Sequence, residues 1–291
     1  MKNILGIGLN TWNSQKEIAT LLNSLVKQKF KKFTLYLLDN RSIDKTVEIT
    51  KKYKKKIKIK IIVDTQRRDI PSAQKKLFFN HLKKHKYSMF VNDDDKYHHE
   101  YIQKVLDKIE TEKLDMAYSK YNMFNKKKII NIKNYPLYNS TDSHFKNVIK
   151  FLTYRNVVPI FFGIYRSKTL EDTLSHYTPI LNSKSNYDNQ FILDYLSKYK
   201  VGIVNKKLFY YSQKNRLIID KNKGGYKVIY NQYRSLYVIF FIQFIFLKKF
   251  FIEIKNNQNF NLFKKVFIFF FIILIFFQKT LSYNFKFLTR N

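Results

Sequence analysis

Four short apolar runs, each followed by an amphipathic stretch, fill residues 4–112, and this alternation leaves the chain few architectures to adopt. "ILGIGL" (4–9) precedes a helical pattern at 15–28, where Ile18, Leu21, Leu22 and Leu25 recur at helical spacing. "FTLYLLD" (33–39) precedes a second helix at 43–55. "IKIKIIVD" (57–64) precedes a third that starts near Pro71, a residue favoured in a first helical turn. "YSMFV" (87–91) leads to a fourth at 98–112. Repeated strand–helix units predict an α/β fold, a parallel sheet covered by helices on both faces. Ligands of such sheets bind beyond the carboxyl ends of the strands. Asp39, Asp64 and Asp93 to Asp95 all fall at such ends.

The densest of these ends is "VNDDDKYHH" (91–99), in a chain with 55 Lys and Arg against 21 Asp and Glu. Adjacent carboxylates repel, and each raises the pKa of its neighbours. Either a divalent cation sits among them or Asp95 caps the helix at 98–112, and a cap leaves the other two unexplained. His98 and His99 read as surface residues at the helix start.

From 115 to 215 the pattern is mixed, with expected strands at 115–121, 128–133, 160–165 and 201–211 and helices near 142–154 and 187–198. Beyond that the composition changes. "LYVIFFIQFIFL" (236–247) and "VFIFFFIILIFF" (266–277) are apolar runs flanked by Lys248, Lys249, Lys264, Lys265 and Lys279. As a helix each spans about 18 Å, short of the roughly 30 Å hydrocarbon core. They read as an interfacial or re-entrant hairpin, the alternative being helices packed on the domain before them. The chain has no Cys, which excludes disulfides and thiolate metal sites. Its net charge of +34 suits a polyanionic partner, nucleic acid or an anionic membrane surface. Lysines spread over nearly every helix, as an AT-rich coding sequence would distribute them, and this argues against a nucleic-acid-binding protein. The N-terminal "MKNILGIGLN" is too short for a signal-peptide core and reads as a first strand.

Six stretches, in order, resemble the family 2 glycosyltransferases, whose fold is called GT-A. "LNTWN" (9–13) resembles the family's "PTYN", and after Glu17 "LNSLVKQ" (22–28) is similar to "L-x-S-L-x-x-Q". "LLDNRSIDKT" (37–46) resembles "VVDDGSTDGT", and "FVNDDDKYHHEYI" (90–102) aligns without gaps to "FLDSDDxxHPEYL". "FFGIYRSKTL" (161–170) resembles "G-x-x-x-R-R-S-x-L". "YDNQFILDYL" (187–196) with "YYSQKN" (210–215) stands where the family has "ED-x-x-L-x-L-R-L" and "YY-R-x-H".

The resemblance implies a Rossmann-like nucleotide-diphospho-sugar transferase over 1–215, with a nucleotide-binding half (1–120) and an acceptor half (121–215). A connector (216–235) and a mostly helical, apolar and basic tail (236–291) follow. It implies an inverting, metal-dependent sugar transfer from a nucleotide-diphosphate donor, a UDP-sugar favoured, to a saccharide or lipid-linked saccharide of a surface glycan. Asp39 then holds the base, although "DNRS" also suits a turn-capping Asp. Thr11 and Asn13 line the same crevice, and Asn13 also suits a helix N-cap. A diphosphate cannot rest on carboxylates without a cation between them, so Mg²⁺ or Mn²⁺ is implied. Asp94 is its ligand by alignment, with Asp95 beside it and Asp93 on the nucleotide side. Arg67 or Arg68 supplies charge to the diphosphate. Asp188 is the candidate base that deprotonates the acceptor, with a helix N-cap as its alternative role. The chain departs from the family at Asn92, Asp69, Gln74, Tyr187 and Lys214, which admits a catalytically degenerate binding protein as a rival. The expected location is cytoplasmic, peripheral on the inner face of the cell membrane, held by anionic lipid.

Overall fold

The computed structural model of the chain describes residues 4–125, 128–130, 137–154, 158–176, 187–212, 251–252 and 254–274. The expected connector at 216–235, the apolar run at 236–247, and Lys214, Lys248, Lys249 and Lys279 lie outside the described residues.

The first half follows the predicted order: β1 (Leu5–Thr11), α1 (Ile18–Val26), β2 (Phe33–Asp39), α2 (Thr46–Lys52), β3 (Ile59–Val63), α3 (Ile70–Leu77) and β4 (Tyr87–Val91). Next come β5 (Lys96–Tyr97), α4 (Tyr101–Thr111), β6 (Met116–Asn125), β7 (Lys128–Ile130) and α5 (His144–Tyr154). The sequence closes through α6 (Val158–Phe161), β8 (Ile164–Arg166), α7 (Ser167–His176), α8 (Tyr187–Lys198) and β9 (Val201–Ser212). A further helix covers 262–274.

All nine described strands share one sheet, in the order β3-β2-β1-β4-β8-β6-β9-β5 with β7 against β6. β3, β2, β1 and β4 run parallel, and β8 then enters antiparallel to β4. β1, β2 and β4 are buried almost throughout, because helices cover both faces and a continuous apolar run replaces alternation. The Ile18, Leu21, Leu22 and Leu25 stripe of α1 is the face that meets them. Since β2 lies on one side of β1 and β4 on the other, the strand order reverses at β1. That is where an open α/β sheet leaves a crevice.

The strand expected at 160–165 is instead a helical turn, α6, followed by the three-residue β8. Pro159 cannot donate to a ladder, which disfavours a strand there. Gly163 then makes a close approach to β6: a Cβ at this position would lie 2.5 Å from the Met116 side chain and 2.8 Å from the Ala117 carbonyl oxygen. The backbone oxygen cannot swing aside. Gly163→Ala should therefore cost about 1–3 kcal/mol through overpacking, read as a lowered denaturant midpoint at unchanged m-value.

Candidate functional site

The loops after β1, β2 and β3 are sewn together by side chains. Asn13 N–H donates to Ser42 Oγ at 2.9 Å, and Ile43 N–H returns a bond to Asn13 Oδ1 at 2.9 Å. Ser14 N–H donates to Thr46 Oγ1, Gln15 N–H to Asp44, and Lys45 N–H to the Gln15 amide oxygen. Asn40 bonds both ways with the Arg68 backbone, at 2.8 and 2.7 Å. This stitching explains why α1 and α2 begin later than the sequence predicts. The polar residues expected to start those helices bond the neighbouring loop instead. Asn13, at φ 49°, is not the cap of α1; that position is Glu17, which makes no side-chain cap bond.

At the reversal of strand order, the end of β1 meets the aspartate run. Thr11 Oγ1 donates to Asp93 Oδ2 at 2.7 Å, and the Ser14 hydroxyl donates to the same oxygen. Burial nonetheless pushes the Asp93 carboxyl up, and Glu17 adds to the shift. Asp95 is fully buried and caps no helix; Glu100 is the residue before α4. Ser212 N–H, at the end of β9, donates to Asp95 Oδ1 at 2.8 Å. The Asn92 side chain also hydrogen-bonds Asp95, while Asp95 Oδ2 is buried with no partner among the described residues. Burial and then the Asp94 charge hold the Asp95 carboxyl well above the usual carboxylate range. Asn92, where the family has an aspartate, thus supplies a donor at a point already crowded with negative charge. A cation bound at Asp94 and Asp95 would answer both the orphaned oxygen and the repulsion, so the donor set fits a divalent metal.

Asp64, at the end of β3, is treated differently. It is 2% exposed and salt-bridged to Arg68 at 2.7 Å and Lys76 at 2.9 Å. Burial pushes its carboxyl up, but the bonds from Lys76 and Arg68 outweigh this and hold it at about 2, below the ordinary 3.8. Arg68 is therefore anchored on a carboxylate. Arg67 sits over Trp12, its guanidinium carbon 3.7 Å from the ring centroid, which joins the first loop to the third. Asp39 is buried and accepts a long, bifurcated bond from Ser42 N–H at 3.2 and 3.4 Å. That is the turn-capping contact, and it uses little of the carboxylate's accepting capacity.

Asp188 lies inside the first turn of α8, where the helix dipole favours an acid, and not at a cap position before residue 189. Phe191 meets Phe161 and Tyr165 edge to face, and Tyr195 meets Thr169 at 2.7 Å. Because β8 opposes β4, Phe161 lies toward the carboxyl end of β4 and Thr169 toward its start. α8 consequently begins at the crevice end of the sheet. Trp12, Ser14 and Lys76 are site residues that sequence reasoning did not single out. Trp12 alone carried a signal, as the chain's one tryptophan inside a motif. His98, His99 and Glu100 cluster before α4, with Glu100 paired to Lys29 at 2.8 Å.

A carboxylate held below its unfolded pKa stabilises the fold above that value, and the contribution fades as pH falls through the folded one. For Asp64 the window runs from about pH 4 down to about pH 2, with on the order of 1–2 kcal/mol at stake. Asp64→Asn should be less stable than the native chain at neutral pH, and the gap in melting temperature should close across that window.

The family model described as Glycosyl transferase family 2 matches residues 7–174. Over 211 residues the chain is 29% identical to the poly(ribitol-phosphate) beta-N-acetylglucosaminyltransferase TarS of Staphylococcus aureus strain Mu50, covering 70% of this chain and 34% of TarS. TarS of strain MW2 matches equally. This chain thus spans about a third of the length of those relatives. The structure of S. aureus TarS 1–349 in complex with UDP-GlcNAc superposes with a TM-score of 0.70 at 20% identity, over 96% of this chain and 73% of that one. The UDP complex gives 0.67 at 20% identity, over 92% and 70%. A mannosyltransferase from Pyrobaculum calidifontis, in complex with GDP-Man and Mn²⁺, gives 0.52 at 10% identity, over 74% and 59%. At these identities the likeness shows the GT-A fold. With the family model matching more than half of the sequence and the fold in agreement, the chain belongs to glycosyl transferase family 2.

Proposed function

We propose that this glycosyltransferase moves a sugar from a UDP-linked donor to a hydroxyl of a surface glycan, with inversion at the anomeric carbon and with Mg²⁺ or Mn²⁺ bound. The observation that carries the reading is the meeting of Thr11, Ser14 and Asp93 where the strand order reverses, beside Asp94 and one strand from Asp39. The named activity of TarS and its UDP and UDP-GlcNAc complexes favour a uridine donor and a saccharide or polyol-phosphate acceptor.

In this reading the base lies against Asp39 and the Trp12–Arg67 pair, and the diphosphate points toward the loop after β4. Asp94, with Asp95 beside it, would hold the metal. When bound, the metal neutralises charge on the leaving diphosphate. Asp188 takes the proton from the acceptor hydroxyl as its oxygen attacks the anomeric carbon, and the sugar–phosphate bond breaks on the opposite side. Asp93, fixed by two hydroxyls, keeps the loop in register. A binding-only protein is the rival, drawn from Asn92, Gln74 and Tyr187. The enzyme would work peripherally at the inner, cytoplasmic face of the cell membrane, where nucleotide sugars meet lipid-linked acceptors.

Hydrolysis of a panel of nucleotide sugars, with and without Mn²⁺, tests the reading and separates it from the rival. A UDP-sugar should be hydrolysed only with the metal. Asp94→Asn should abolish turnover without lowering the melting temperature, since it removes a charge that repels Asp95. Full activity in excess EDTA would overturn the metal role.

Asp188→Asn should keep donor affinity while transfer falls by about 100-fold or more, the usual worth of a general base. Transfer retained within a factor of about three, under about 1 kcal/mol, would reduce Asp188 to a structural residue.

A further inference from the structure

The helix at 262–274 has two apolar faces. Ile268 and Ile272 are buried, and Phe271 packs against the core. Phe145 of α5 meets both Phe267 and Phe260, and the Asn257 and Asn259 amides donate to the Ser197 carbonyl at 3.2 and 3.0 Å. Those bonds satisfy a carbonyl group that the last turn of α8 would otherwise leave open. The segment is therefore fastened to the catalytic domain. Its other face carries Phe263, Val266, Phe270 and Leu274, spaced three or four apart as one stripe. Phe263 is 76% exposed, Phe270 63% and Leu274 64%. The outward face of a helix on a water-soluble domain is ordinarily polar, and a contiguous apolar stripe marks an interaction surface.

Charge selects the occupant. From Ile254 to Asn291 the sequence has no acidic residue, and it carries Lys255, Lys264, Lys265, Lys279, Lys286 and Arg290. A second copy seated on this stripe would bring like charges together. An anionic lipid surface complements them, taking the phenylalanines at the acyl boundary and the lysines among the headgroups. No described helix is long and apolar enough to cross a membrane. At about 20 Å this one suits lying in the plane of the interface. We propose, resting on the peripheral placement put forward above, that the Phe263–Phe270–Leu274 stripe is the surface by which the folded domain docks on an anionic bilayer. The helix packs on the domain and enters the lipid with opposite faces, so the two roles expected of the apolar run are not exclusive.

The test is co-sedimentation of the full chain with vesicles of phosphatidylcholine alone and of phosphatidylcholine with phosphatidylglycerol. The native chain should pellet with the mixed vesicles. A variant carrying Phe263→Ser, Phe270→Ser and Leu274→Ser should lose at least about tenfold in partitioning while melting and donor hydrolysis stay unchanged, because these side chains face outward. A second variant, Lys264→Glu with Lys265→Glu, should lose binding to the mixed vesicles selectively. A native chain that stays in the supernatant at every composition overturns the proposal, as does a serine variant that pellets like the native chain. So does a native dimer that the serine substitutions turn into a monomer with no change in vesicle binding. A native chain that binds vesicles but hydrolyses no nucleotide sugar would sink the proposed activity and leave the docking surface standing.

Discussion

Two hydroxyls, one at the end of β1 and one from the loop after it, hold one carboxylate from the loop after β4, and the crevice is built outward from that contact. Thr11 and Ser14 share a single oxygen of Asp93 across the line where the strand order reverses. The ladder between β1 and β4 ends at Leu9 and Val91. Nothing in the sheet itself would keep the two loops together. The hydroxyls do so while tolerating a carboxyl that burial drives toward its neutral form. Beyond Ser14 the stitching passes through Thr46, Ser42 and Asn13 to the second loop, and through Asn40 to the third.

The acidic strand ends divide by what surrounds them. Asp64 is matched by Arg68 and Lys76, so its charge is cancelled locally and its pKa falls. Asp93 and Asp95 are met by hydroxyls, an amide and a backbone N–H, which satisfy geometry without cancelling charge. Their pKa values rise. A chain with 55 Lys and Arg could easily have supplied a cation there. Among the described residues Asp64 forms two ion pairs and Asp93 and Asp95 form none, which sets the acid at the end of β3 apart from those after β4.

Much of the first half was legible because its signal is local. β1, β2 and β4 are runs of adjacent apolar residues, and the α1 stripe is a count of three and four. The aspartate run declared itself by repulsion alone. What stayed hidden depends on residues far apart in the chain: Asp64 with Lys76, Trp12 with Arg67, Asp95 with Ser212. The start of α1 is hidden for the same reason, since Asn13 looks like a cap until the neighbouring loop claims it. The strand expected at 160–165 runs across Gly163, where the structure breaks it. The close approach of Gly163 to the Ala117 carbonyl of β6 has no signal in the local sequence.

α8 acts mechanically as a lever. Its first turn carries Asp188, and its last turn is gripped by Asn257 and Asn259 from a segment some sixty residues on in the sequence. A twelve-residue helix is about 18 Å long and stiff, so a tilt of about 5° at the grip moves the far end by roughly 1.5 Å. Displacements of that size are large against the tolerance of a proton transfer. In the proposed mechanism the position of Asp188 is therefore held partly from the far end of α8, by two asparagine amides.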